Sequence, residues 1–423
     1  MAISQKINGF LEKSSWIRKM FEEGIKLKQQ YGEENVFDLS LGNPVMEPPD
    51  ELKQALVAAA QDTTPGLHRY MPNSGFADVR EAMARALANE CRVEARRKSS
   101  NQNQKAPHGV GKPALRGGVE LTGDQIVMVC GAAGGLNITL KALLDPGDEV
   151  IVFSPYFVEY LFYADNHGGK AVPVSTREDF TLDFQALAAA INAKTKAVII
   201  NTPNNPTGVV YSRKSLEELG RVLAQKSSEI GHEIYLISDD PYKKIVFDGV
   251  ETPNILEIYD HSIYITSHSK DLAVPGERIG FVAVHPKCAE AGKLMDSLNF
   301  CNRVLGFVNA PALIQRAIKD MQSVTVNVEQ YRKKRDFLYG ELTRIGYDVV
   351  RPQGAFYMFP RSPLEDETEF VRLLGSKKVL VVPGRGFGAP GYFRLSYCFT
   401  DKVIEGAIAG LEEAFKEAVK MRK

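Results

Sequence analysis

A lysine and an arginine stand close together in the stretch "SHSKDLAVPGERIG", Ser267 to Gly280, directly after the strand-like run "SIYIT". Lys270 brings an amine able to form a Schiff base with an aldehyde, and Arg278 brings a guanidinium suited to a phosphate. Other strand-like runs end in similar fashion. "QIVMV" leads into "CGAAGGLNITL", small residues that open a helix and present backbone N–H groups to an anion. "EVIVF" is followed by "SPYFVEY", where Phe157 offers a flat aromatic face, and "AVIIN" by "TPNNPTG", where Asn205 can donate to a ligand or stabilise its own turn. "IYLIS" is followed by "DDPY": adjacent carboxylates, Asp239 and Asp240, are not ordinary core residues, and a buried one needs a cationic or protonated partner.

Taken singly, each feature has a plainer reading: glycine for tight packing, a core aromatic, solvated surface charges. Their occurrence at one strand end after another is what points to chemistry. From residue 121 onward, β-branched and aromatic runs ("QIVMVC", "EVIVFS", "AVIIN", "IYLIS", "SIYIT", "GFVAVH") alternate with helical stretches such as "LNITLKALL", "FQALAAAINA" and "SLEELGRVLAQKS". That alternation predicts an α/β fold with a mostly parallel sheet covered on both faces, in which ligands sit beyond the carboxyl ends of the strands.

The C-terminal part predicts a smaller α+β domain: a long helical stretch from about residue 313, then "AFYMFP", "VLVVPG", "FRLSYC" and a last helix with Ile404, Ile408, Leu411, Phe415 and Val419 on one face. The expected division is residues 1–40 as an N-terminal arm and start of the small domain, 41–312 as the large domain, and 313–423 as the small C-terminal domain. Near the start, Ile17, Met20, Phe21 and Ile25 recur at helical spacing. Residues 95–118, polar and rich in Gly and Pro, read as a mobile surface insertion.

With 52 basic and 52 acidic residues in 423, the chain has no electrostatic footprint for nucleic acid or an anionic membrane, so small molecules are the expected partners. Five cysteines without a CxxC pair indicate buried thiols in a reducing compartment rather than disulfides or zinc. With neither a signal-peptide pattern nor a membrane span, the chain is expected in the cytoplasm.

A helix N-terminus, an arginine and serines make a phosphate site; an aromatic face, an Asn, an Asp and a Tyr suit a flat polar ring; lysine adds the amine for an aldehyde. Pyridoxal phosphate has all of these groups. The order and spacing also resemble the fold type I pyridoxal-phosphate aminotransferases of class I and II, from about residue 36 to the C-terminus. The resemblance implies that Lys270 is the Schiff-base lysine, with Ser267 and Arg278 on the phosphate and Gly131, Ala132 and Ala133 forming the amide loop around it. It further implies that Phe157 stacks on the ring, Asn205 and Tyr242 bind its phenolic oxygen, and Asp239 faces its nitrogen. Arg394 in "FRLSY" would clamp the substrate α-carboxylate, met by the backbone of Gly42 in "LSLGNP", and Tyr70 in "HRYMPNSG" would reach the phosphate of a neighbouring subunit. A homodimer with shared active sites, acting on amino acids and 2-oxo acids, is the implied assembly.

His268 departs from the attachment signature and reads as a tolerated neighbour of Lys270 rather than a catalytic acid. Arg303 in "NFCNRVLGF" lies one position from where a second substrate cation is expected and reads as a surface or interface charge. A C–S β-lyase or decarboxylase on the same scaffold shares all these residues. A non-catalytic regulator that binds the cofactor needs a DNA-binding domain, and no helix-turn-helix fits before residue 36. The glycine-rich "VVPGRGFGAPG" precedes a strand-like run rather than a helix, which sets aside a nicotinamide dehydrogenase.

Overall fold

The computed structural model describes residues 3–13, 16–103 and 119–422. Its centre is a seven-stranded sheet of Ile126–Val129 (β1), Glu149–Ser154 (β2), Lys170–Ser175 (β3), Thr195–Ile200 (β4), Tyr235–Asp239 (β5), Ser262–Ser267 (β6) and Gly280–Val284 (β7), in the spatial order β1-β7-β6-β5-β4-β2-β3. Neighbours pair in parallel except around β7, which runs antiparallel to both β1 and β6. The expected mostly parallel α/β sheet is what the chain forms.

Successive side chains of a strand point to opposite faces, and here both faces are covered. Met128, Ile151, Phe153, Val198, Leu236 and Phe281 enter one core, while Val127, Val129, Val150, Val152, Ile237 and Ile265 enter the other. Apart from β3, most of which is at least partly exposed, the strands leave little face to water and read as apolar runs. Helices Gly131–Leu143, Glu159–Asn166, Phe184–Ala190 and Arg213–Ile230 fill the connections. The third of these starts where the Asp183 carboxylate accepts from the Gln185 and Ala186 N–H groups at 2.9 Å.

Strand β3 was not among the expected strands, because Pro173 argues against one. It lies at the sheet edge, where a residue without an N–H is tolerated.

The long helical stretch expected from about residue 313 is two helices, Ala312–Ile318 and Val328–Ile345. A new start intervenes, at which the Asn327 side chain accepts from the Gln330 N–H at 3.3 Å. Beyond them Val382–Pro383, Phe393–Ser396 and Tyr357–Met358 form a small antiparallel sheet, and Val379–Leu380 pairs in parallel with Phe37–Asp38. The last helix, Asp401–Met421, buries Ile404, Ala407, Leu411, Ala414 and Ala418. Its contact face is thus turned toward alanines, and the expected Val419 is 36% exposed. Small residues let this helix approach Phe37 and Val379, which lie against Gly406 and Gly410.

Helix Ala77–Asn103 carries residues 95–103 of the expected surface insertion, so that part is helical, and residues 104–118 lie outside the described residues. The side chains of Ile17, Met20 and Phe21 likewise lie outside the described residues, and Ile25 on the same helix is 43% exposed. No disulfide links the five cysteines. No described helix is long and apolar enough to cross a membrane.

Candidate active site

A cavity of about 300 Å³ opens at the carboxyl ends of β4, β5 and β6. Every residue singled out from the sequence for binding or catalysis lines it except Gly131 and Tyr70. Gly131 lies directly beneath Arg278, whereas Tyr70 is 90% exposed and contributes nothing to the cavity of its own subunit.

At one end the cavity is built for an anion. Helix Gly131–Leu143 starts there, and its cap residue Cys130 makes no side-chain bond to the first-turn N–H groups. The helix therefore begins with free donors and the positive end of its dipole toward the cavity. Gly131 adopts φ 70°, and a Cβ on it would lie 2.7 Å from Arg278 Nη2, so only glycine lets backbone and guanidinium come together. Arg278 itself is held at φ 50°, a strained value for a residue with a side chain, and its Nη1 donates to the Pro275 carbonyl at 3.0 Å. Ser267 Oγ donates to Ser269 Oγ at 3.1 Å on the same rim.

Opposite that end, Asp239 terminates β5 and is 5% exposed. Tyr160 Oη donates to Asp239 Oδ2 at 2.7 Å, and Oδ1 has no partner among the described residues. Burial pushes the carboxyl up to about 6, against the pull of the Tyr160 hydrogen bond. A bare, buried carboxylate oxygen marks the place for a protonated donor. Phe157 reaches the cavity half-buried, set edge-to-face on Tyr160 with ring centroids 5.6 Å apart.

Lys270 sits in the turn after β6 and donates from Nζ to the Gly42 carbonyl at 2.8 Å. Burial pulls its amine down to about 8, assisted by the guanidinium charges of Arg278 and Arg394 and opposed by Cys398. A sizeable share of the amine is therefore neutral, and so nucleophilic, near neutral pH.

Arg394 enters from Phe393–Ser396, 3% exposed. It donates to Asn205 Oδ1 at 3.0 Å and to the Ser40 carbonyl at 2.6 Å, and Nε has no partner among the described residues. Its guanidinium lies 4.6 Å from the centre of the Tyr357 ring and 4.7 Å from that of Phe387. A Cβ on Gly42 would collide with the Tyr357 hydroxyl, so the chain passes Tyr357 only as glycine. Tyr242 Oη and Tyr357 Oη share a hydrogen bond at 2.9 Å.

Tyr160, Tyr357 and Asn201 were not anticipated. Asn201 directly follows β4 and donates to the Asp239 carbonyl at 2.6 Å while accepting from the Asn205 N–H at 2.7 Å, which fixes the loop that carries Asn205. Its place at a strand's carboxyl end was the signal available. Tyr160 and Tyr357 have no local signal. His268 is 2% exposed and faces away from the cavity, with Nδ1 3.2 Å from the Asp271 carboxylate. Arg303 is exposed on helix Ala291–Val304, 5.4 Å from the centre of the Phe300 ring.

Fold and cavity together define a class: an α/β enzyme that holds an amine between two anion sites at the strand ends. The family follows from comparison. Residues 34–411 match the model for aminotransferase class I and II. The chain belongs to this family and is an aminotransferase; its members depend on pyridoxal phosphate. It is 30% identical over 427 residues to aromatic-amino-acid aminotransferase 2 of Thermococcus litoralis, covering 99% of each chain. It is 32% identical over 378 residues to the aspartate/prephenate aminotransferase of Thermus thermophilus, covering 88% of each. Among solved structures, an amino transferase from Eubacterium rectale superposes with a TM-score of 0.88 at 36% identity over 99% of both chains. The aspartate aminotransferase of Thermus thermophilus with maleate gives 0.79 at 28% identity, over 98% of this chain and 100% of that one.

Proposed function

We propose that this protein transfers an amino group from an L-amino acid to a 2-oxo acid with pyridoxal 5'-phosphate bound at Lys270. The observation that carries this reading is that one cavity is lined by Lys270, Asp239, Arg278 and Arg394 together. The donor set fits the cofactor: the uncapped helix start, Gly131, Ala132, Ala133, Ser267 and Arg278 for its phosphate, and the bare Asp239 Oδ1 for its ring nitrogen. Phe157 would pack on the ring face, and Asn205 and Tyr242 would bind the phenolic oxygen.

When bound, the cofactor supplies an aldehyde that condenses with amines and a protonated ring that accepts an electron pair from the substrate α-carbon. Asp239 keeps that ring protonated by staying ionised beside it. Lys270 would hold the cofactor through its amine and, with that amine free, would move the proton taken from the substrate α-carbon. Arg394 grips the α-carboxylate with its planar fork, and the Gly42 backbone meets the substrate from the other side. Orientation matters because the bond that breaks must stand perpendicular to the ring.

Residue ranges 41–312 and 313–423 would be the cofactor-binding and small domains, and pairing of Phe37–Asp38 with Val379–Leu380 supports assigning the end of 1–40 to the small one. The working unit would be a cytoplasmic homodimer with shared sites, Tyr70 of each copy reaching the phosphate of the other.

The test uses the holoenzyme with single amino acids. One equivalent of 2-oxo acid per subunit should appear and the reaction stop, restarting when a different 2-oxo acid is added. Borohydride treatment followed by peptide mass spectrometry should leave the cofactor's mass on Lys270. Continuous ammonia release from an amino acid alone, or label on another lysine, would overturn the reading.

A further inference from the structure

The hydroxyls of Tyr242 and Tyr357 face each other 2.9 Å apart, and only Tyr242 has a part in the proposed function. Both side chains are buried, at 5% and 2% exposure, and each hydroxyl is the other's only hydrogen-bond partner among the described residues. They come from different parts of the fold. Tyr242 lies in the turn after β5, whereas Tyr357 belongs to the small antiparallel sheet, where Ser396 stands opposite it. Arg394, two residues before Ser396, is therefore its diagonal neighbour on the same face, and the guanidinium lies 4.6 Å from the centre of the Tyr357 ring.

Packing accounts for the ring of Tyr357. It stands edge-to-face to Tyr242 with centroids 5.7 Å apart, and Phe356 lies against both, 4.9 Å from Tyr357 and 5.3 Å from Tyr242. A phenylalanine would fill the same space, so the hydroxyl is what packing leaves unexplained. Gly42, whose carbonyl receives Lys270 Nζ at 2.8 Å, has no side chain to collide with that hydroxyl.

A hydroxyl carries one proton, so the pair has two possible orders. If Tyr242 donates to Tyr357, its proton is used within the protein, and the Tyr357 proton has no acceptor among the described residues. If Tyr357 donates to Tyr242, Tyr242 keeps its own proton for an occupant of the cavity, and both buried donors are satisfied. The Arg394 charge beside the Tyr357 ring favours the second order, because a cation near a phenol makes its proton easier to share.

We propose, resting on the cofactor reading above, that Tyr357 is a positioning residue: its hydroxyl donates to Tyr242 Oη and so aims the Tyr242 proton at the phenolic oxygen of pyridoxal phosphate. Bonds in such a chain strengthen one another by about 10–30% each, which makes Tyr242 the stronger donor. A stronger donor stabilises negative charge on the oxygen it meets.

The readout is the pH at which the bound cofactor's visible absorption changes, a transition governed by the proton shared between that oxygen and the Lys270 nitrogen. Tyr357→Phe keeps the ring and removes the hydroxyl, so the transition should move up by roughly 0.1 to 0.6 of a pH unit. Replacement of Tyr357 by a fluorinated tyrosine, whose hydroxyl is more acidic, should move it down. In a Tyr242→Phe background, Tyr357→Phe should leave the transition where it is, since the chain then lacks its middle member. The absorption band itself shows that each variant holds the cofactor and its fold. A downward shift in the Tyr357→Phe single variant would mean that Tyr242 is the donor, and no shift would mean that the hydroxyl is idle. Either result overturns the proposal, as does an equal shift in both backgrounds, which a general change in packing would give. Borohydride labelling separates this failure from that of the cofactor reading: no cofactor mass on Lys270 of the unsubstituted protein overturns both, whereas a labelled protein with an unmoved transition overturns only the role of Tyr357.

Discussion

The Tyr160 hydroxyl donates to Asp239 Oδ2 at 2.7 Å while Oδ1 of the same carboxylate has no partner among the described residues. One oxygen is thus fixed by the protein and the other is aimed into the cavity. A hydrogen bond to a charged group contributes about 1.5–3 kcal/mol. Tyr160→Phe should therefore lower kcat and cofactor affinity by roughly tenfold or more, with KM for the amino acid little changed. Cofactor retention on dialysis, compared with steady-state rates, checks this; an unchanged variant would remove Tyr160 from the site.

Asp239 also opposes the stability of the cofactor-free protein. Its folded-state carboxyl, raised by burial from the ordinary 3.8 to about 6, binds its proton more tightly folded than unfolded. The stability it contributes is thus fully present below about pH 4 and is lost as pH rises through 6. That interval corresponds to roughly 3 kcal/mol at most. Asp239→Asn should raise the Tm of the cofactor-free protein at pH 8 and at the same time lower turnover by about a thousandfold, since the ring nitrogen loses its counter-charge. A Tm that falls in the variant would show that Asp239 is already compensated without the cofactor.

For Lys270 the sign is reversed. Its amine titrates at about 8 rather than at 10.5, and only the neutral form attacks an aldehyde. The rate at which cofactor-free protein takes up pyridoxal phosphate should rise with pH between 6 and 9, with its midpoint near 8. Stopped-flow absorbance at constant ionic strength gives the profile. A midpoint close to 10 would mean that the lysine is not desolvated before the cofactor arrives.

The chemically distinctive residues were legible because they follow strands whose burial on both faces writes them as apolar runs. Asn205, Asp239 and Lys270 each lie within a few positions of such a run. Residues that meet across the chain left no such trace: Tyr160 is 79 positions from Asp239, and Tyr357 is 115 from Tyr242. Nothing next to either tyrosine distinguishes it from a core aromatic. Pro173 hid β3 because edge position is a property of the sheet rather than of the segment. The last helix misled in its contact face, since alanines count little in an apolar stripe yet permit the closest approach. His268 was visible as an oddity, but its contact with Asp271, which also pairs with Lys244, shows only in the fold.

Arg394 holds the Ser40 carbonyl and Asn205 Oδ1 while its Nε has no partner among the described residues, the arrangement of a fork kept ready for a carboxylate. Arg394→Lys keeps the charge and loses the fork. KM for the amino acid should rise about tenfold to a hundredfold, with a smaller fall in kcat. Amines without a carboxylate should be used equally well by both forms. If KM stays level, the α-carboxylate binds elsewhere.

Tyr70 offers the sharpest test of a shared site. Its ring is 90% exposed, yet its segment is tied down: Asn302 Nδ2 donates to the Asn73 carbonyl at 2.8 Å and Asn73 Nδ2 to the Val308 carbonyl at 2.7 Å. The helix that carries Asn302 also presents Phe300 and Val304, 55% and 49% exposed, as an apolar patch at that end. If a second copy covers this patch, Tyr70 completes the partner's phosphate site. Tyr70→Ala should then lose cofactor about tenfold more readily, and Lys270→Ala should be inactive. A mixed dimer of the two variants has one site with the lysine of one chain and the tyrosine of the other, and one site lacking both. It should recover about half the activity of the unsubstituted dimer, one intact site in each. Were Tyr70 to act within its own subunit, no mixed site would be intact and mixing would add nothing to the Tyr70→Ala activity.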